Sequence, residues 1–208
     1  MTNLAATDKL FFERAGLDRN SVEGIVGDAL KDADDGELFM EFTQSESLSW
    51  DDGRLKSASF NTAQGFGLRA IADEATGYAH ASELSESAIK RAAETVRAVT
   101  RGHNGVIAAP PTGTNQSLYS DDNPLVKTPF EAKVHLLEEI DAYARTKDPR
   151  VRQVMASISG EWQAVQIMRA DGSRAGDVRP MVRLNVSVMV EKDGRMETGN
   201  FGTGGRVS

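Results

Sequence analysis

No cysteine occurs in the 208 residues. Disulfides, thiolate metal sites and a cysteine nucleophile are therefore excluded, and a reducing cytoplasm is the simplest home. Histidine is scarce as well, at three copies, which leaves little material for a metal centre or a general base working near neutral pH. No window is apolar enough to span a bilayer. The opening "MTNLAATDKLFFERAGLDRN" has neither a basic start nor a long apolar run, so the chain reads as soluble and untargeted, with no membrane partner. Positive charge is also in deficit. A net charge of −7 repels phosphate backbones, and although Arg145, Arg150, Arg152, Arg179 and Arg183 cluster locally, acidic residues lie among or near them. Nucleic acid is not expected as a direct partner.

What is present suffices for a core, since 39% of the chain is hydrophobic. Thr7 can cap a short helix through Leu10, Phe11 and Arg14, with Gly16 just past its end. From Ser21, apolar Val22, Ile25, Val26, Ala29, Leu30 and Ala33 recur at helical spacing. The period then changes. "ELFMEFTQSESLSW", "RLKSASFNTAQ", "GFGLRAIAD" and "GYAHAS" are short segments separated by turn signals such as Asp51-Asp52-Gly53, which predicts an antiparallel meander. Ser82 or Ser85 opens another helix, with Ala88, Ile89, Ala92, Ala93, Val96 and Val99 on one face.

Residues 103–127 are too rich in Pro, Gly, Asn and Asp for a regular element, which predicts a long loop between sub-lobes 1–102 and 128–208. Thr128-Pro129-Phe130-Glu131 then reads as a capping box with proline in the first helical position. That helix should bury Phe130, Val134, Leu137, Ile140 and Ala144. "VRQVMASIS", "EWQAVQIMRA", "VRLNVSVMVEK" and "RMETGNF" return to strand. In the third, Val182, Leu184, Val186, Val188 and Val190 alternate with Arg183, Asn185, Ser187, Met189 and Glu191, so one face is core and the other largely polar. The fold class is α+β: antiparallel β meanders with amphipathic helices packed on them.

A search for chemistry finds no active site. Gly65-Phe66-Gly67 lies between strand-like segments and lacks the third glycine of a dinucleotide loop, so a bulge or tight hairpin is expected. His80, His103 and His135 are dispersed. His135 and Glu139 share a helix face, but Glu131 and Glu138 lie on or beside it, which is the pattern of a solvated surface. No Gly-x-Ser-x-Gly elbow exists, and Ser157-Ile158-Ser159-Gly160 is a strand end. Asp51-Asp52, Asp73-Glu74 and Asp121-Asp122 fall in turns, where Asp is preferred for local backbone bonding. No residue is assigned a catalytic, cofactor-binding or metal-ligating role.

Several segments in order resemble one family. "RLKSASFNTAQGFGLRAIADEATGYAHAS", "DDNPL", "DPRVRQVMASISGEW", "ADGSRAGDVRPMVRLNVSVMVEKDGRMETG" and "FGTGGR" are similar to the N-terminal half of the TldD/PmbA metallopeptidases, historically called modulators of DNA gyrase, and nearest to the TldD branch. The resemblance covers nearly everything from Gly36 onward. It implies cytoplasmic heterodimers of TldD with a TldE/PmbA-type subunit that cleave peptides or unfolded proteins in a closed chamber. It also implies zinc on a His-Glu-x-x-x-His helix with a later cysteine ligand. Neither motif occurs in the 208 residues. The expectation is a non-catalytic N-terminal domain over 1–208, inactive alone and without zinc of its own, whose closing "NFGTGGRVS" is a frayed connection toward an absent catalytic domain. The alternative expectation is a free-standing module that binds protein or peptide through exposed strand edges.

Overall fold

A computed structural model describes residues 3–109, 112 and 118–206. Its helices are α1 (Asn3–Asp8, continued by a π-helical turn Lys9–Arg14), α2 (Arg19–Leu30), α3 (Glu86–Thr100), α4 (Pro124–Lys127) and α5 (Phe130–Lys147). Its strands are β1 (Asp35–Asp51), β2 (Arg54–Ala72), β3 (Ala75–Ala81), β4 (Val151–Arg169), β5 (Arg174–Lys192) and β6 (Arg195–Gly205). The strands form one antiparallel sheet in the order β3-β2-β1-β4-β5-β6, so two three-stranded meanders join through β1 and β4. The α+β expectation is met.

The strands are longer than the sequence suggests. Two expected pairs of short segments fuse into the 19-residue strands β2 and β4. The glycines that looked like breaks serve close packing inside a strand instead. A Cβ at Gly65 would lie 2.7 Å from the carbonyl oxygen of Ala81, and one at Gly160 would lie 2.5 Å from Leu125 Cδ2. Two of the hairpin turns place two successive residues at positive φ, Asp52-Gly53 (49° and 82°) and Asp193-Gly194 (54° and 79°), the geometry of two-residue hairpins.

Two compact units form, interleaved in sequence rather than split into 1–102 and 128–208. Met1–Thr43, Ala63–Leu118 and Gln163–Val178 make unit 1; Gln44–Thr62, Tyr119–Trp162 and Arg179–Ser208 make unit 2. In unit 1, Val22, Val26 and Leu30 of α2 and Ile89 and Val96 of α3 are fully buried, as are Leu38, Met40 and Leu68 on the strands. Each contributes about 1.5–3 kcal/mol of burial. Asp18 caps α2, its carboxylate accepting from the Ser21 amide at 2.7 Å, and Ser85 caps α3, its hydroxyl accepting from the Ala88 amide at 3.2 Å. Thr7 does not cap a helix. It is buried within α1 and donates to the Leu4 carbonyl.

In unit 2 the core is Leu48, Trp50, Leu137 and Ala156, with Val134, Ile140, Ile158, Leu184 and Val186 packed against it. The capping box is not formed. Thr128 follows the short helix α4, which Asn123 caps by accepting from the Leu125 amide at 2.9 Å, and α5 starts at Phe130 with no side-chain cap. Phe130 is exposed rather than buried. The inner stripe of α5 is instead Lys133, Leu137 and Asp141, spaced by four. Lys133 Nζ pairs with Glu46 and donates to the Leu125 carbonyl at 2.7 Å. Asp141 accepts from Trp50 Nε1 at 3.0 Å and from Arg145 Nε at 2.8 Å.

The terminal glycines are also corrected. Gly202, Gly204 and Gly205 belong to β6 and pair with Asn185, Arg183 and Val182 of β5. A ladder bonds through backbone groups, so a strand poor in side chains still pairs where its neighbour offers a matching edge.

Candidate functional site

Side chains of a strand alternate between faces, and in unit 2 the helix-facing set is known from its packing. Leu48 and Trp50 of β1, Ala156 and Ile158 of β4, and Leu184 and Val186 of β5 lie in the α5 core. The intervening residues fall on the opposite face: Ser45, Ser47 and Ser49, then Met155, Ser157 and Ser159, then Met181, Arg183, Asn185 and Ser187. Antiparallel register adds Gly202 beside Asn185 and Gly204 beside Arg183.

This open face carries two neighbouring grooves. One, of about 810 Å³, is lined by Ser45, Ser47, Ser159, Arg183 and the Gly202–Arg206 stretch, with Glu46, Glu161 and Met181 among its other members. The other, of about 610 Å³, is lined by Ser49, Lys56, Ser157, Asn185, Ser187 and Asn200, among others. Arg183 and Gly202 line both. Serine hydroxyls donate and accept alike, and serine and glycine are small enough to let another backbone approach. Such a floor suits an extended chain read by main-chain polarity rather than by side-chain identity. At its rim the Asp51 carboxyl is held below its ordinary range, first by the hydrogen bond from Gln153 Nε2 at 2.7 Å and then by the charge of Lys56.

In unit 1 the fold assembles a cluster that sequence spacing does not reveal. His103 Nε2 lies 3.0 Å from Asp34 Oδ2 and its Nδ1 lies 3.3 Å from Asp73 Oδ2. Asp34 Oδ2 also accepts from the Asp73 amide at 2.7 Å. The hydrogen bond to Asp34 raises the His103 pKa above 6.5, helped by the charges of Asp34, Asp73 and Asp32. Among the described residues this is the group of His and acidic side chains whose donor atoms converge, all within 4.8 Å. Each ring nitrogen of His103 thus faces a carboxylate, and a metal ligand role for the ring would have to replace one of those contacts.

The other residues weighed from sequence stay apart. His135 is exposed on α5 beside Glu138 and Glu139, at 3.4 and 3.3 Å, and His80 stacks on Tyr78 with ring centroids 5.6 Å apart. The serine face was missed, although a signal for it exists: serine occupies every second position from Ser45 to Ser49 and recurs at Ser157 and Ser159.

Residues 36–100 match the model of PmbA/TldA metallopeptidase domain 1, and residues 123–208 match that of the PmbA/TldA metallopeptidase central domain. The chain belongs to the PmbA/TldD metallopeptidase family. It is 36% identical over 179 residues to a metalloprotease TldD homolog of Haemophilus influenzae, covering 85% of this chain and 37% of that protein. A metalloprotease TldD homolog of Buchnera aphidicola is 32% identical over 176 residues, covering 84% and 36%. The chain thus spans little more than a third of the length of these relatives. The fold recurs in a protein named as a modulator of DNA gyrase from Bacteroides thetaiotaomicron, with a TM-score of 0.71 at 14% identity over 90% of this chain and 45% of that one. It recurs also in TldE from Thermococcus kodakarensis, with a TM-score of 0.65 at 16% identity over 89% of this chain and 43% of that one.

Proposed function

We propose that these 208 residues are a non-catalytic part of a cytoplasmic TldD-type zinc metallopeptidase that cleaves peptides or unfolded proteins. In this reading the serine and glycine face of unit 2 lines the substrate chamber, and the assembly is completed by a TldE/PmbA-type subunit. The observation that carries it is that open face, rich in serine and glycine with Arg183 exposed on it, in a chain of this family. Zinc and its ligands would be supplied by residues other than these, and no catalytic step is assigned to any side chain here.

The test is to titrate the chain with an unstructured peptide while following amide shifts, and in parallel to assay cleavage. Shifts centred on residues 45–49, 157–159, 183–187 and 200–204, with the peptide left intact, are expected. Cleavage by the chain alone would overturn the non-catalytic assignment. Shifts confined to α5 would overturn the chamber face.

The second reading is a free-standing interaction module. It draws on the sheet edges, since β6 is terminal in the strand order and β3 pairs with β2 only over Phe66–Ala72. A partner adding a strand there would protect the outward amides of β6 and leave the serine face unshifted.

A further inference from the structure

The arginines of this acidic chain are mostly engaged by carboxylates. Arg69 binds Glu37 through two nitrogens at 2.8 and 2.9 Å, Arg169 meets Asp35 at 2.6 Å, and Arg152 meets Glu191 at 3.2 Å. Arg183 differs. It is exposed, its Nε donates to Asn185 Oδ1 at 2.9 Å, and among the described residues no carboxylate pairs with it.

The surroundings keep its guanidinium open. Gly204 is the residue paired with Arg183, and Gly202 is paired with Asn185. A Cβ at Gly202 would sit 3.0 Å from Asn185 Oδ1 and 3.4 Å from Arg183 Nη2, so any side chain there would crowd the cationic head. Asn185 orients the guanidinium from its Nε side, which leaves both terminal nitrogens available. Two parallel N–H donors match the two oxygens of a carboxylate.

We infer that Arg183, oriented by Asn185 and uncovered by Gly202 and Gly204, is a carboxylate-binding point on the open face of unit 2. This rests on the proposed peptide-binding reading and adds a preference to it: the bound chain carries a carboxylate at this subsite. A C-terminal carboxylate and an Asp or Glu side chain share that chemistry.

The experiment uses the 208-residue chain and three fluorescent Ala/Ser/Gly peptides of equal length, followed by anisotropy at low salt. One has a free C-terminal carboxylate, one is its C-terminal amide, and one is the amide with a single internal Glu. At least one carboxylate peptide should bind about fivefold tighter than the neutral amide, the scale of an exposed ion pair, and which one does so identifies the source. Arg183→Gln should abolish the preference, read as the ratio of carboxylate to neutral-amide affinity within the variant, and Arg183→Lys should restore part of it. Thermal midpoints within the wild-type range confirm that the variants fold. Equal affinity for all three peptides, or an undiminished preference in Arg183→Gln, overturns the inference and leaves peptide binding standing. If no peptide binds, the chamber reading fails, and N-acetylalanine is titrated while the Gly202 and Gly204 amides are followed. A shift lost in Arg183→Gln sustains the carboxylate site alone, and the absence of a shift overturns it too.

Discussion

His103 Nε2 and Asp34 Oδ2 lie 3.0 Å apart, joining the loop after α3 to the residue just before β1. The pair titrates in opposite senses. Its hydrogen bond raises the His103 pKa above 6.5, and the same bond, with the Asp73 amide, lowers that of Asp34 below 3.8.

The His103 contribution to stability is complete below about pH 6.5, its ordinary value, and is lost as pH rises through the raised folded value. The Asp34 contribution is complete above about pH 4 and is lost as pH falls through the lowered folded value. Denaturation midpoints measured from pH 3 to 9 should therefore show a plateau between those limits and a decline on the alkaline side. His103→Asn should remove that alkaline decline. An unchanged alkaline limb in the variant would separate His103 from it.

Lys133 and Glu46 form a buried pair, and Lys133 also donates to the Leu125 carbonyl at 2.7 Å. Lys133→Met should destabilise by about 3 kcal/mol, because it leaves Glu46 desolvated without a cation. Adding Glu46→Leu should recover most of that loss. The check is a double-mutant cycle from urea midpoints, and additive single effects would contradict the coupling.

At the start of the helical region of unit 2, Asn123 accepts from the Leu125 amide and its Nδ2 donates to Gln44 Oε1 at 2.8 Å. Asn123→Ala should cost about 1 kcal/mol. Thr128→Ala, at a position without a capping bond to α5, should shift the midpoint by less than about 0.5 kcal/mol. Equal effects would mean that the cap is shared.

The β6 glycines are not equivalent. A Cβ at Gly204 would collide with the Val182 carbonyl oxygen, whereas one at Gly199 meets nothing within 4 Å. Gly199→Ala should be neutral or stabilising by about 0.5 kcal/mol. Gly204→Ala should speed amide exchange along the β5–β6 ladder. The Asp193-Gly194 turn makes Lys192 and Arg195 a doubly hydrogen-bonded pair, so the amides that face β5 at this end of β6 are those of Phe201 and Thr203, opposite Val186 and Leu184. In the wild type these two should exchange more slowly than residues of the loop 103–109, and exchange as fast as that loop would show that this end of β6 does not pair.

Whatever is periodic or local was legible in the order of the residues. Alternation of Val182 to Val190 with Arg183 to Glu191 marks the two faces of β5, the spacing of Ile89, Ala93 and Val96 marks the inner side of α3, and Asp-Gly pairs mark the hairpins, because each signal lies within a few residues of what it controls. What depends on close approach between distant segments emerged only with the fold. Whether Gly65 and Gly160 end a strand or let a neighbour pack against it depends on Ala81 and Leu125, which no local pattern announces. Asn123, not Thr128, carries a cap, on α4, and its side chain is held by Gln44, 79 positions away. Lys133 and Asp141 turned inward because Glu46 and Trp50 meet them there. The closing glycines became a strand because β5 presented a matching ladder, and that same pairing left Arg183 uncovered on the open face.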